Sequence, residues 1–110
     1  MGEYANLAPE VNCYCMDKIT LGDYASVSQG AHLCAGTHDI DDPHFQLVTM
    51  PIIIGPNAWV AAEAFVGPGV RIGEGAVLGA RAVAFADLEP NMVYVGNPAK
   101  PLRRRSQRKT

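Results

Sequence analysis

Basic side chains are scarce through most of this sequence. Residues 1–99 hold only Lys18, Arg71 and Arg81 against all eleven acids, and the remaining cations crowd into residues 100–110. An acidic body of this kind offers no electrostatic footprint for nucleic acid. Also missing is any run of about eighteen apolar residues, which a membrane-spanning helix requires. No basic segment leads into an apolar one near the start. The compartment expected on these grounds is the cytoplasm, with neither membrane nor nucleic acid as a partner. Cysteine is sparse and odd in number. Cys13, Cys15 and Cys34 show no metal-type or redox spacing, so they read as small apolar fillers in a reducing compartment. With 110 residues, 48% of them apolar, the chain has room for one compact domain over 1–110 and none for a second.

What the sequence has in abundance is a period of six. Windows open at Met1, Leu7, Cys13, Leu21, Val27, Leu33, Ile54, Val60, Val66, Ile72 and Leu78, and every opener but Cys13 is Leu, Ile, Val or Met. The fifth positions hold phase as well, being Ala, Val or Thr everywhere except Asp17. Several second positions are glycine, which allows a tight corner because it lacks a Cβ. A period of six fits neither the 3.6 of a helix nor a hairpin ladder, but it suits three short strands per eighteen-residue coil. Each hexapeptide then forms one side of a triangular prism. Its opener points inward and stacks on equivalents about 4.8 Å away. One column reads Met1, Leu21, Ile54, Ile72 and the next Leu7, Val27, Val60, Leu78. The expected fold is an all-β parallel solenoid of about four coils.

Two interruptions break the count. Ile19 and Thr20 are extra residues, expected to bulge at a corner. The stretch 39–53 carries three Asp, His44 and two Pro and is expected to be an extruded loop, of a length that is usually functional. After Val83 the pattern fades into an irregular cap, so that cap and basic tail together occupy 84–110. The tail itself reads as a solvated, frayed end. Met1 occupies the opener position of a repeat, for which a partner subunit, a preceding segment or a tolerated bare edge would each account.

Three segments carry a family likeness: Gly36-Thr37-His38-Asp39, Pro51-Ile52-Ile53-Ile54-Gly55-Pro56-Asn57-Ala58-Trp59-Val60 and Gly96-Asn97-Pro98-Ala99-Lys100. They resemble the hexapeptide-repeat O-acetyltransferases, and among those the colanic-acid acetyltransferase group, with the maltose, galactoside and nodulation-factor enzymes further off. The resemblance runs from Met1 to Arg103. It implies a left-handed parallel β-helix, a homotrimer with active sites between subunits, acetyl-coenzyme A as co-substrate and no metal. The left hand rests on the resemblance alone, since parallel crossovers are otherwise nearly always right-handed.

Moving an acetyl group from a thioester to a saccharide hydroxyl needs a base for the hydroxyl proton and donors for the oxyanion. An imidazole suits the first role because its ordinary pKa leaves it mostly neutral at cellular pH. The resemblance assigns that role to His38; the bland alternative is a surface corner histidine. His32, six residues earlier, reads as structural. Cys34 is set aside as a nucleophile, because buried cysteine is normally inert. For the cofactor, the resemblance points to Trp59 as an aromatic anchor against the pantetheine arm, with core packing as the alternative. It also points to Ala62 and Ala80 as small residues that leave the arm room, and to Lys100 and Arg103, with Arg104 beside them, at the phosphates. For the acceptor the candidates are Tyr14, Asp17, Asp39 and His44, with Asp41 and Asp42 nearby, although a loop Asp more often makes its own turn. One departure stands out: Phe85-Ala86 replaces the family's usual Thr-Lys, removing a hydroxyl and a cation from the cofactor path. Two rival readings stay open: a non-catalytic trimeric scaffold, and a γ-carbonic-anhydrase-like zinc enzyme using histidines at subunit boundaries.

Overall fold

An aliphatic side chain recurring every sixth residue cannot be buried within its own hexapeptide. It is buried by the same position one coil away. The computed structural model describes residues 2–44 and 46–106, which form fifteen short strands and no helix. The first face stacks β1 (Asn6–Leu7), β4 (Ser26–Val27), β9 (Trp59–Val60), β12 (Val77–Leu78) and β14 (Met92–Val95). The second stacks β2 (Asn12–Tyr14), β5 (His32–Cys34), β10 (Phe65–Val66) and β13 (Val83–Ala84), and the third β3 (Ile19–Leu21), β8 (Ile52–Ile54) and β11 (Arg71–Ile72). All of these pairings are parallel and in register, so the chain coils around one core. The columns Leu21–Ile54–Ile72, Val27–Val60–Leu78 and Leu33–Val66–Ala84 line it, none of them more than 3% exposed. Met1, expected at the head of one column, lies outside the described residues.

The corners follow from the same repeat. In Gly22-Asp23-Tyr24-Ala25 the Ala25 N–H donates to the Gly22 carbonyl at 3.1 Å, and Tyr24 takes φ 60°, the positive value that a type II turn demands at its third residue. The same corner recurs above and below as Tyr4, Asn57, Gly75 and Asn91, all with positive φ. Coils approach closely here: a Cβ on Gly22 would stand 2.6 Å from the Pro56 nitrogen. Gly22→Ala therefore forces the coils apart at the Gly22 N–H bond to the Ile54 carbonyl, now 2.7 Å. The expected loss is about 1–3 kcal/mol of stability, read as a lower thermal midpoint.

Both interruptions fall on one corner, between the second and third faces. The expected bulge at Ile19-Thr20 is displaced, because those residues belong to β3 and pair with Ile52 and Ile53. Ile19, Ile52 and Val70 form the fifth-position column there, in place of Asp17 and Thr37, and the extra residues lie upstream over 15–18. The excursion expected over 39–53 is a β-hairpin. In it β6 (Gly36–His38) pairs antiparallel with β7 (Leu47–Thr49), and the coil resumes at Ile52. The reason lies in the branched run Ile52-Ile53-Ile54, whose first and third side chains are fully buried.

The cap is also more regular than expected. β14 extends the first face, and β15 (Lys100–Arg104) returns antiparallel along it. The last four residues of the basic tail, 107–110, lie outside the described residues. The cysteines are free thiols: Cys13 packs against the core as a filler should, whereas Cys15 is exposed. Burial pushes the Cys13 thiol up from its ordinary value, and neighbouring Cys15 adds to the shift.

Candidate functional site

On the first face, openers point inward and the residues before them point outward, by the alternation of a strand. Register therefore places Ser26, Trp59, Val77, Val93 and Arg103 in one outward column. An open cleft of about 1410 Å3 runs along it, bordered by Trp59, Ala62, Ala80 and Arg103. Four of the five residues expected at the cofactor thus converge on one surface. Lys100 does not border the cleft. It pairs with Val95 at the far end of β15 and is exposed. Trp59 is 44% exposed, so core packing does not explain it. Its indole N–H donates to the Ser28 hydroxyl at 2.8 Å, which fixes the ring against the wall.

Among the cleft residues not expected from the sequence, two side chains hold its walls by hydrogen bonds. Ser28 is one, legible only once β4 is laid beside β9. The other is Arg105, whose Nη1 donates to the carbonyls of Asn57, at 2.8 Å, and Gly75, at 3.1 Å. Its backbone N–H donates to the Asn91 carbonyl at 2.7 Å, so the chain after β15 is tied back across the corner. With Arg103 it gives the cleft a cationic end, tempered by Glu74 in the same lining.

His38 sits elsewhere. It is exposed on β6, opposite Leu47, at the corner between the second and third faces. No hairpin residue borders the cleft. Among the acceptor candidates, Tyr14 lies at the hairpin base, where Gly36 approaches its ring and Met16 so closely that a Cβ would stand 3.2 and 3.0 Å away. Asp17 shares that corner and accepts from the Lys18 N–H at 2.7 Å. The loop carboxylates make local turns, Asp39 accepting from the Asp41 N–H at 3.1 Å and Asp42 from the His44 N–H at 2.8 Å. His44 is exposed near the hairpin tip. His32 packs its ring 5.5 Å from Phe65, which in turn faces Phe85 at 5.8 Å. Phe85 is therefore on the outside of the second face, away from the cleft's lining.

The bacterial transferase hexapeptide model (six repeats) matches residues 51–84. WcaF of Escherichia coli (strain K12), by name a colanic acid biosynthesis acetyltransferase, is 44% identical over 105 residues, covering 96% of this chain and 58% of its own length. Residues 51–84 thus carry the bacterial transferase hexapeptide repeat, and the chain as a whole is similar to an acetyltransferase built on it. It spans less than two thirds of that relative. The fold is shared with two solved structures. AntD, an N-acyltransferase from Bacillus cereus in complex with dTDP and 3-hydroxybutyryl-CoA, superposes with a TM-score of 0.86 at 23% identity, covering 94% of this chain and 61% of that one. A galactoside acetyltransferase in complex with coenzyme A superposes at 0.80 and 24% identity, covering 90% and 54%. The described residues contain no group of three His, Cys, Asp or Glu side chains arranged to hold a metal ion, and no helix long and apolar enough to cross a membrane.

Proposed function

We propose that this chain transfers the acetyl group of acetyl-coenzyme A to a hydroxyl of a saccharide or similar small acceptor, with His38 as general base. The observation that carries this reading is the convergence of Trp59, Ala62, Ala80 and Arg103 on one open cleft. An indole plane beside small residues accommodates a flexible apolar arm, and a guanidinium at one end suits phosphate. The His38 imidazole takes the acceptor's proton as its oxygen attacks the thioester carbonyl. The proton then leaves with the departing thiolate. Because the hairpin stands at the corner opposite the face that carries the cleft, one chain supplies only half of such a site. A homotrimer with a left-handed coil of about four turns, each hairpin reaching a neighbour's cleft, completes it. Tyr14 and Asp17 at the hairpin base, and Asp39 and His44 above it, are then the side chains nearest the acceptor. Lys100 is left with at most a long-range contribution to phosphate binding.

The test is thiol release from acetyl-coenzyme A across a panel of sugars and sugar nucleotides. Transfer to none of them removes the saccharide reading. Cofactor binding is tested separately: Trp59→Ala is expected to weaken coenzyme A about tenfold by calorimetry, and an unchanged affinity would take Trp59 out of the site. A second reading is a non-catalytic trimeric scaffold, although Phe85, part of the departure that suggested it, lies away from the cleft's lining. It predicts no heat of coenzyme A binding at all to the wild-type protein.

A further inference from the structure

Past Trp59, away from Arg103, the first face carries a smaller hollow of about 290 Å3 that the acetyl-transfer steps leave unused. Tyr24, Ser26, Asn57, Ala58, Trp59 and Arg105 line it. Asn57, Trp59 and Arg105 also border the large cleft, so the two spaces are consecutive stations on one surface.

Tyr24 is an odd choice for its position. The corner column reads Tyr4, Tyr24, Asn57, Gly75, Asn91, all at positive φ. Asn and Gly enter that left-handed region readily, whereas a bulky aromatic residue is disfavoured there. Glu10, Glu63 and Arg81 take the same backbone at the next corner, but these are long polar chains, and Glu63 and Arg81 pair with each other at 3.0 Å. The tyrosines gain little by burial: Tyr4 is 70% exposed and Tyr24 57%. They stack on one another, with centroids 5.1 Å apart and planes at 25°. Since Tyr4 belongs to the coil below, it backs the Tyr24 ring on the side away from Asn57. The turn sets the backbone at this corner; an exposed aromatic residue held there against its preference is of the kind that clusters at functional sites.

We propose that this hollow is a subsite for one pyranose ring of a saccharide acceptor, with Tyr24 as its platform. The C–H face of a sugar ring packs against the electron-rich face of an aromatic ring, and Tyr24 and Trp59 supply two such surfaces. The Ser26 hydroxyl, the Asn57 amide and the Arg105 guanidinium stand on the same walls to meet the ring hydroxyls. A volume near the lower end of small-molecule sites suits one ring rather than a chain of them. Tyr4 is a positioning residue, holding Tyr24 upright from behind. The occupant's role as acceptor rests on the acetyl-transfer reading; its binding does not.

Trp59 is the sole tryptophan and borders the hollow, so its fluorescence reports occupancy. Wild type, Tyr24→Phe and Tyr24→Asn are titrated with methyl glycosides of common hexoses and, separately, with coenzyme A. Tyr24→Asn is expected to raise the glycoside Kd about tenfold and Tyr24→Phe by less than about threefold. Coenzyme A affinity stays level in both, and the thermal midpoint of Tyr24→Asn does not fall, because Asn suits the backbone. The proposal is overturned if no glycoside perturbs Trp59, or if Tyr24→Asn binds it as wild type does. It is likewise overturned if coenzyme A weakens in parallel, which would make the ring a platform for the nucleobase. In turnover, Tyr24→Asn raises the acceptor KM and leaves kcat unchanged. Glycoside binding without transfer to any sugar leaves the subsite standing and removes the acetyl-transfer reading.

Discussion

With His38 as the proposed base, His38→Ala is expected to lower acetyl transfer by about a hundred- to ten-thousandfold, the usual contribution of a positioned general base, while the protein keeps its fold and its affinity for coenzyme A. The separation follows from where the residue sits. His38 ends a strand on an excursion from the coil, its side chain is exposed, and the neighbouring backbone bond runs from the Asp39 N–H to the Gln46 carbonyl at 2.9 Å. None of the stacked core columns depends on it. The measurement is kcat/KM by thiol release, beside a thermal midpoint and a coenzyme A titration on the same preparation. Full transfer activity in the variant would remove His38 from the chemistry. A loss of folding would show that the hairpin is part of the scaffold.

The second large effect is on stability. Ile54→Ala is expected to remove about 2–5 kcal/mol, a large fraction of the 5–15 kcal/mol typical of a domain. Ile54 is fully buried between Leu21 below and Ile72 above. In a solenoid each coil touches only its neighbours, so no more distant side chain can move in to fill the space. Chemical denaturation of Ile54→Ala beside wild type reads the difference. A change under about 1 kcal/mol would mean that the coils close up around the deletion.

The inward columns were legible in the sequence because one physical demand repeats at every coil. An aliphatic opener is buried only by another opener, so Leu21, Ile54 and Ile72 announce each other across 51 residues of chain. The outward direction of Trp59 was legible too, since Val60 beside it points in. The phase at the interrupted corner was not. Counting from openers assigned Asp17 and Thr37 to the small-residue column, whereas the strand register selects Ile19, partly buried against the core, and Ile52, fully buried. A count carries no information about which side of an insertion absorbs the extra residues. Arg105 was hidden for a different reason: its partner carbonyls belong to residues 48 and 30 positions away, and backbone acceptors leave no trace in residue identity. His38 and the cleft stand on opposite sides of the prism, because the corner between the second and third faces lies across from the first whichever way the chain coils.

β15 reverses direction along the last rung of the first face, with Pro101 opposite Tyr94 and Arg103 and Arg104 exposed beside it. A parallel rung of another molecule would have to dock on an antiparallel edge that lacks one amide hydrogen and carries cations. At this edge the prism is closed to end-to-end growth into filaments.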